Sequence, residues 1–422
     1  MKYFRYLTIS GLLFVCIAFR GFAQDTIRLT LDDAEKQFIQ KNLLLLAQKY
    51  NIEASKALII QAGLIHNPNV SYEQMLVNRE NGFLPFPNDQ RALQVSQLFM
   101  LANKRKKQVE LAKINSEISE YAFFDLLRSL SVQLRTTFFD IYFNEQSQKM
   151  YVEEIVTLKN LVTQYKSQFD KGNVALKEVI RLQSFLFDLE NELGDLQTQV
   201  TEKQADFRTL LGETSNQFLL VQLDKNQIDT SGVANLTIQN LIGIAQENRF
   251  DLKIQEASIR LATANLSFQK ALAVPDMSVS LQYNKYAGYG TDYLGVIVGI
   301  DLPFFNKNQG NIKAAEYQIE ANKKYYAQTD ITLQNEVLRT YAKSVQTDRL
   351  YKQFDKSFLP NFDKLKEGEV SSYLKRNVSL LEFVDFYESY KNSVIQMNKL
   401  QNSRIRAFEE LNFAVGKKVF NY

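Results

Sequence analysis

The 422-residue chain is written twice. Leu29-Thr30-Leu31 returns as Leu236-Thr237-Ile238, Pro68 as Pro275, and Asn103-Lys104 as Asn306-Lys307. The stretch Lys171-Gly172-Asn173-Val174-Ala175-Leu176-Lys177-Glu178 returns as Lys375-Arg376-Asn377-Val378-Ser379-Leu380-Leu381-Glu382, and Leu211-Gly212 as Val415-Gly416. These landmarks recur in one order at an offset of about two hundred residues. That means two copies of one structural unit and a pseudo-symmetric fold, with function expected on the symmetry axis.

Punctuation is scarce in both copies. No Gly or Pro occurs between Pro87 and Gly172, from Asn311 to Leu359, or from Glu369 to Val415. Gaps of that length suit very long helices, not a compact globule. Residues 1–24 carry Lys2 and Arg5, an apolar run from Leu7 to Ala18, and the small-residue ending Gly21-Phe22-Ala23. They read as a secretory signal cleaved near Ala23. The single cysteine, Cys16, lies inside that run behind Phe14-Val15, where a lipoprotein signal would need a small residue. Removing the signal takes away Lys2, Arg5 and Arg20 and no acid, so cations and anions balance in what remains. Nothing then draws the chain to nucleic acid, and no cysteine is left for disulfides or thiolate metal ligands. No later run of eighteen or more apolar residues exists, so a membrane can be entered only through strands.

Each half reads as short helix, medium helix, two strands, very long helix, long return helix. The first repeat spans 25–213, with helices near 30–42 and 46–66, strands 69–77 and 90–99, and long helices 103–171 and 174–211. A connector, 214–235, follows, holding Asn216, Asp224, Asp229 and Gly232. The second repeat spans 236–422, with strands 277–287 and 292–302 and long helices 306–374 and 378–415. In the strands, Met277, Val279, Leu281 and Tyr283 alternate with Ser278, Ser280, Gln282 and Asn284, and Leu294, Val296, Val298 and Ile300 alternate with Tyr293, Gly295, Ile297 and Gly299. One apolar and one polar or small face is the pattern of a membrane barrel strand and also of a half-buried soluble hairpin. Each very long helix covers roughly 67 residues, on the order of 100 Å. The return helices carry apolar stripes, Leu182, Phe185, Leu189, Leu193, Leu196 and Val200 in one and Val384, Tyr387, Tyr390, Val394 and Met397 in the other, which call for helix-on-helix packing. Pro360 should bend the second long helix or end its regular hydrogen bonding locally.

Four strands cannot close a barrel, because membrane barrels start at eight and lipid tolerates no open edge. The chain must therefore lend its strands to an oligomer, and three copies would supply twelve.

Two local motifs then stand out. Gln97-Leu98-Phe99 precedes Lys104-Arg105, and Leu302-Pro303-Phe304-Phe305-Asn306-Lys307-Asn308-Gln309-Gly310 follows the last strand. With the overall arrangement, they resemble the strand-to-helix junctions of the TolC-like outer-membrane efflux factors, most like the cobalt-zinc-cadmium (CzcC-like) branch. Leu101-Ala102 departs from the glycine usual there. The resemblance implies a mostly α fold with a membrane β-barrel contribution, a homotrimer with a twelve-stranded barrel and a long periplasmic helical tunnel. It implies passive conduction in the outer membrane, completing a pump built from an inner-membrane RND-type transporter and a periplasmic adaptor (membrane fusion) protein.

By the same resemblance, Gly172, Asn173, Val174, Asn377 and Val378 form the tip where an adaptor docks. Glu382 and Asp385 take the places of the pore-facing acidic rings, and Glu178 and Tyr373 those of the hydrogen-bonded pair that holds the tip closed. Glu382 and Asp385 share one helix face, and in a trimer each becomes a ring of three carboxylates, which favours cations. The basic gate partner expected one turn before Glu382 is Val378 here, with Lys375 and Arg376 as neighbouring substitutes. His66, the one histidine, precedes Asn67-Pro68 and reads as a helix-end residue, not a metal ligand. No phosphate-binding loop, Cys/His cluster or Ser/His/Asp set is present, so neither enzymatic activity nor a cofactor is expected. Asp32-Asp33 and Glu153-Glu154 read as helix-terminal or solvated charge. Three readings remain: a heavy-metal exit duct, a drug or type I protein secretion duct of the same family, and a periplasmic coiled-coil scaffold.

Overall fold

A computed structural model describes residues 26–78, 82–84, 90–215, 217–223, 232–233, 236–287, 290–355 and 357–420. The signal segment with Cys16, the loop prolines Pro85 and Pro87, and half of the 214–235 connector lie outside the described residues.

The first repeat runs β1 (Thr26–Leu29), α1 (Leu31–Lys41), α2 (Leu43–Gly63), β2 (Asn69–Gln74), β3 (Val77–Asn78), β4 (Gly82–Phe83), β5 (Arg91–Phe99), α3 (Lys104–Asp170) and α4 (Leu176–Leu211). β6 (Phe218–Val221) lies in the connector, and the second repeat runs α5 (Ile238–Asn248), α6 (Phe250–Leu272), β7 (Met277–Ala287), β8 (Gly290–Ile300), α7 (Gln309–Gln353), α8 (Phe358–Leu374) and α9 (Leu380–Val415).

The equivalences are conformational as well as sequential. Thr30 and Thr237 are the N-caps of α1 and α5, Gly212 and Gly416 close α4 and α9 in the left-handed region, and α4 and α9 have 36 residues each. One pairing shifts. Asn103 begins α3 with φ 56°, and its counterpart is Asn308, which begins α7 with φ 58°, not Asn306. Both asparagines turn the chain from strand to helix through a left-handed step, which Asn tolerates better than most residues.

The expected continuous helix 306–374 is broken. Its regular bonding stops at Gln353 and restarts at Phe358. Pro360 explains the restart: it has no N–H to give to a carbonyl four residues back, and it sits in the first turn of α8, where no such bond is needed. The first-repeat counterpart α3, without proline, runs unbroken for 67 residues.

The four main strands form one antiparallel sheet in the order β2-β5-β7-β8. Its register aligns the alternations: Val95 opposes Val70 and Leu281, and Leu281 opposes Val296 on one face, while Ser96 opposes Asn69 and Ser280 on the other. The apolar face is left bare, with Leu294 64% and Val296 68% exposed. A wall four helices wide continues the sheet. α2 packs on α3, α3 on α6 and α6 on α7, in the order of the strands they adjoin.

Further from the sheet, α4 and α9 take over from α2 and α6. The helix ends meet. Asn42 caps α2 by accepting from Leu45 N at 3.1 Å, and its amide donates to the carbonyl of Leu210 at 2.9 Å. In the second repeat Arg249 occupies the same place and donates to the carbonyl of Ala414 at 3.2 Å. A Cβ on Gly212 would lie 2.5 Å from the carbonyl oxygen of Lys41, so this junction requires glycine for space as well as for φ.

Around the junctions two cores form. Leu29, Phe38, Phe138, Phe139, Phe207 and Leu219 fill the first, where β1 pairs in parallel with β6. Leu241, Leu333, Val337, Phe408 and Phe420 fill the second. A third core, of α3, α4, α8 and α9, holds the stripes of both return helices and runs to the far end of the molecule.

Candidate functional site

At that far end the duplicated turns lie side by side. In the first, Gly172 has φ 74° and Asn173 N donates to the carbonyl of Gln168 at 2.9 Å. In the second, Arg376 has φ 61° and Asn377 N donates to the carbonyl of Ser372 at 2.9 Å. Each closes its helix by the same five-residue return bond to a carbonyl left over at the helix end. Arg376 then reaches across, Nη2 donating to the carbonyl of Asn173 at 2.6 Å. A cleft between the turns is lined by Asn173, Val174, Glu178, Arg376, Val378 and Leu380, which brings together residues assigned to docking and to the gate.

The starts of the return helices differ. Ala175 has no side chain to cap α4, whereas Ser379 Oγ accepts from Glu382 N and Glu382 Oε2 accepts from Ser379 N at 2.9 Å, a complete capping box. These bonds from the Ser379 side chain and backbone hold the Glu382 carboxyl below its ordinary pKa, so it stays charged to lower pH. Glu382 and Asp385 both sit on the exposed face of α9, opposite Phe383, Val384, Tyr387 and Tyr390, which are buried.

Tyr373 is 3% exposed and sandwiched between rings. It stacks on Tyr165 of α3 with centroids 5.1 Å apart and on Phe383 of α9 at 4.5 Å, and Phe383 meets Tyr387 at 4.5 Å. Burial, then the Tyr165 hydroxyl, push its phenol well above the ordinary value, so it remains neutral. Its hydroxyl makes no bond of good geometry among the described residues, and Glu178 is half-buried nearby. The structure therefore places Tyr373 in a hairpin-to-hairpin aromatic stack instead of a bond to Glu178. Among the described residues His66 bonds through its backbone carbonyl, which accepts from Gln97 Nε2 at 2.8 Å. Among the described residues no group of His, Cys, Asp and Glu could hold a metal ion.

Sequence reasoning missed the remaining ties between the two hairpins. Glu154, expected as solvated charge, is 2% exposed and accepts from Lys366 Nζ at 3.0 Å. Its other oxygen and the Tyr387 hydroxyl are buried without partners among the described residues. Burial raises the Glu154 pKa while Lys366 opposes it. One level up, Lys391 donates to Glu192 at 2.8 Å and Tyr151 to the same carboxylate at 3.0 Å. The available signal was helical position: Ile155, Leu158, Leu161, Val162 and Tyr165 are the buried row beyond Glu154, and Glu154 falls on that row while Glu153 does not.

Residues 241–354 match the family described as Outer membrane efflux protein. The cobalt-zinc-cadmium resistance protein CzcC of Cupriavidus metallidurans is 20% identical over 310 residues, 74% of this chain and 71% of that one. Among solved structures, CusC has a TM-score of 0.73 at 16% identity, covering 92% of both chains. The Campylobacter jejuni CmeC outer membrane channel has a TM-score of 0.75 at 13% identity, covering 93% of this chain and 87% of that one. The family match covers 114 residues of the second repeat, and the chain as a whole has the fold of these solved channel structures. In this fold the sheet and the tip turns stand at opposite ends of one wall, joined by the unbroken α3 and by α7 followed by α8.

Proposed function

We propose that three copies of this chain form the outer-membrane exit duct of a tripartite efflux system of the heavy-metal or cation RND type. The duct would conduct substrate passively from the periplasm to the exterior. The observation that carries this reading is the sheet: four strands in register, apolar on one face and polar on the other, prolonged by a helical wall of equal width and, among the described residues, with no further strand at either edge. Lipid rejects open edges, so β8 of one copy is expected to pair with β2 of the next until the ring closes. The wall shows matching flanks below each edge, with Leu43, Leu44 and Tyr50 exposed on α2 and Tyr317, Tyr325 and Ile331 exposed on α7.

The tip turns then face the periplasm, where Gly172, Asn173, Val174, Asn377 and Val378 would dock an adaptor. Glu382 and Asp385 would ring the narrow end, and Tyr373 and Glu178 would sit at the gate between hairpins. The similarity to a protein named for cobalt-zinc-cadmium resistance supports a metal-type cargo. Fractionation tests the location: recovery in soluble periplasm instead of detergent-extracted outer membrane would refute the duct. A cysteine placed at Asn173 or Asn377 should crosslink in cells to an adaptor, and the identity of that adaptor names the pump and its substrate class.

A further inference from the structure

Helix α3 starts directly below the sheet on Lys104-Arg105-Lys106-Lys107, with no acid in its first turn. Helix dipoles favour the opposite charge at that end, so four cations there need a compensating anion. Two have one inside the chain or are otherwise held. Lys104 Nζ pairs with Asp276 Oδ1 at 2.6 Å, and Lys107 bonds the Ser267 hydroxyl. Arg105 and Lys106 are exposed and make no bond among the described residues.

These two line a cleft between the end of α2 and the start of α3, with Lys113 two turns further along and the exposed side chains of Leu64 and Ile65 on the facing wall. Glu110 is the one acid in it, so cations outnumber it three to one. The cleft lies within the chain, between neighbouring helices of the wall, and Arg105 follows by six positions Phe99, the last residue of β5, where the apolar face of the sheet ends opposite Met277 and Ile300.

We propose that this cleft holds the phosphate headgroup of an anionic phospholipid of the periplasmic leaflet, with Leu64 and Ile65 against the first carbons of its chains. The inference rests on the outer-membrane reading above. Charge complementarity and continuity with the lipid-facing sheet favour lipid as the occupant: basic groups near a membrane surface attract anionic headgroups, and long basic side chains reach that depth from an apolar base.

The test uses the full mature protein, purified in detergent and titrated with dioleoyl phosphatidylglycerol or dioleoyl phosphatidylcholine in mixed micelles, with bound lipid counted by native mass spectrometry. The anionic lipid should bind at least about tenfold more tightly, and Arg105→Ala with Lys106→Ala and Lys113→Ala should remove about tenfold of that preference. Arg105→Lys should keep it. Equal affinity for the two lipids, an unchanged preference in the triple variant, or displacement of the lipid by millimolar inorganic phosphate would overturn the site. Fractionation separates the two readings. Wild-type protein absent from the outer membrane would sink the duct and this site together, whereas protein present there without lipid preference would sink the site alone.

Discussion

Arg376 Nη2 donates to the carbonyl oxygen of Asn173 at 2.6 Å, so the two turns made equivalent by duplication are bonded to each other. The position is an expensive one for arginine. Arg376 has φ 61°, where its counterpart Gly172 has φ 74°, and a residue with a Cβ costs roughly 1–2 kcal/mol in that region. A glycine would relieve the strain but could not reach Asn173. The second turn holds a strained residue whose side chain ties the two turns together.

Arg376→Ala and Arg376→Gly separate these effects. Both remove the tie, and only glycine relieves the backbone. Both variants should raise single-channel conductance of the reconstituted protein to a similar extent, while the glycine variant melts higher than the alanine variant by the equivalent of about 1 kcal/mol. Wild-type conductance in both would show that the bond does not hold the tip.

Lys366 and Glu154 should behave as a coupled buried pair. Lys366→Ala leaves the Glu154 carboxylate uncompensated between α3 and α8 and should cost about 3–5 kcal/mol, or force the group to take up a proton. The apolar pair Glu154→Leu with Lys366→Met should cost far less than the two single changes added together. Denaturant midpoints for the four proteins of the cycle decide it, and additive losses would mean the pair is not coupled.

Much of the wall was legible because its signals are local. Met277–Ala287 declares itself by alternation, α3 by the lack of Gly and Pro, and the tip turn by Gly172-Asn173. What escaped depends on distant partners. The strand Phe218–Val221 exists because Thr26–Leu29 lies beside it, and nothing within either segment says so. Glu154 looks solvated beside Glu153 until α8 brings Lys366 to it. Pro360 pointed to an interruption, but the regular bonding stops earlier, at Gln353. At the tip, residue types were readable and their bonding was not, since Glu382 is tied into a cap and Tyr373 into a ring stack.

Glu145 sets a pH dependence of stability. It is buried in the middle of α3 and burial pushes its carboxyl up to about 7 from 4.5, against a smaller opposing pull from Lys149. The folded protein therefore keeps a proton that the unfolded chain has already released. The stability this contributes is fully present below pH 4.5 and is lost as pH rises through about 7, by of order 3 kcal/mol per chain. Glu145→Gln should flatten that part of the profile in chemical denaturation from pH 4 to 8. An unchanged slope would assign the dependence elsewhere.

The acidic residues of α9 need a substitution that removes charge without removing the cap. Glu382→Ala would lose the half of the capping box in which its carboxylate accepts from Ser379 N, confusing selectivity with a weakened helix start. Glutamine can serve the box as glutamate does, so Glu382→Gln with Asp385→Asn discharges the exposed face of α9 and leaves its buried face of Phe383, Val384 and Tyr387 untouched. If these carboxylates ring the narrow end, the reversal potential under a salt gradient should move toward zero as preference for cations falls. Because bonding to Ser379 holds Glu382 ionised to lower pH, wild-type cation preference should persist into mildly acid solution and collapse only when that carboxyl takes up its proton. A reversal potential identical in wild type and the double variant would remove both residues from the conduction path and leave Glu382 with a purely structural role at the helix start.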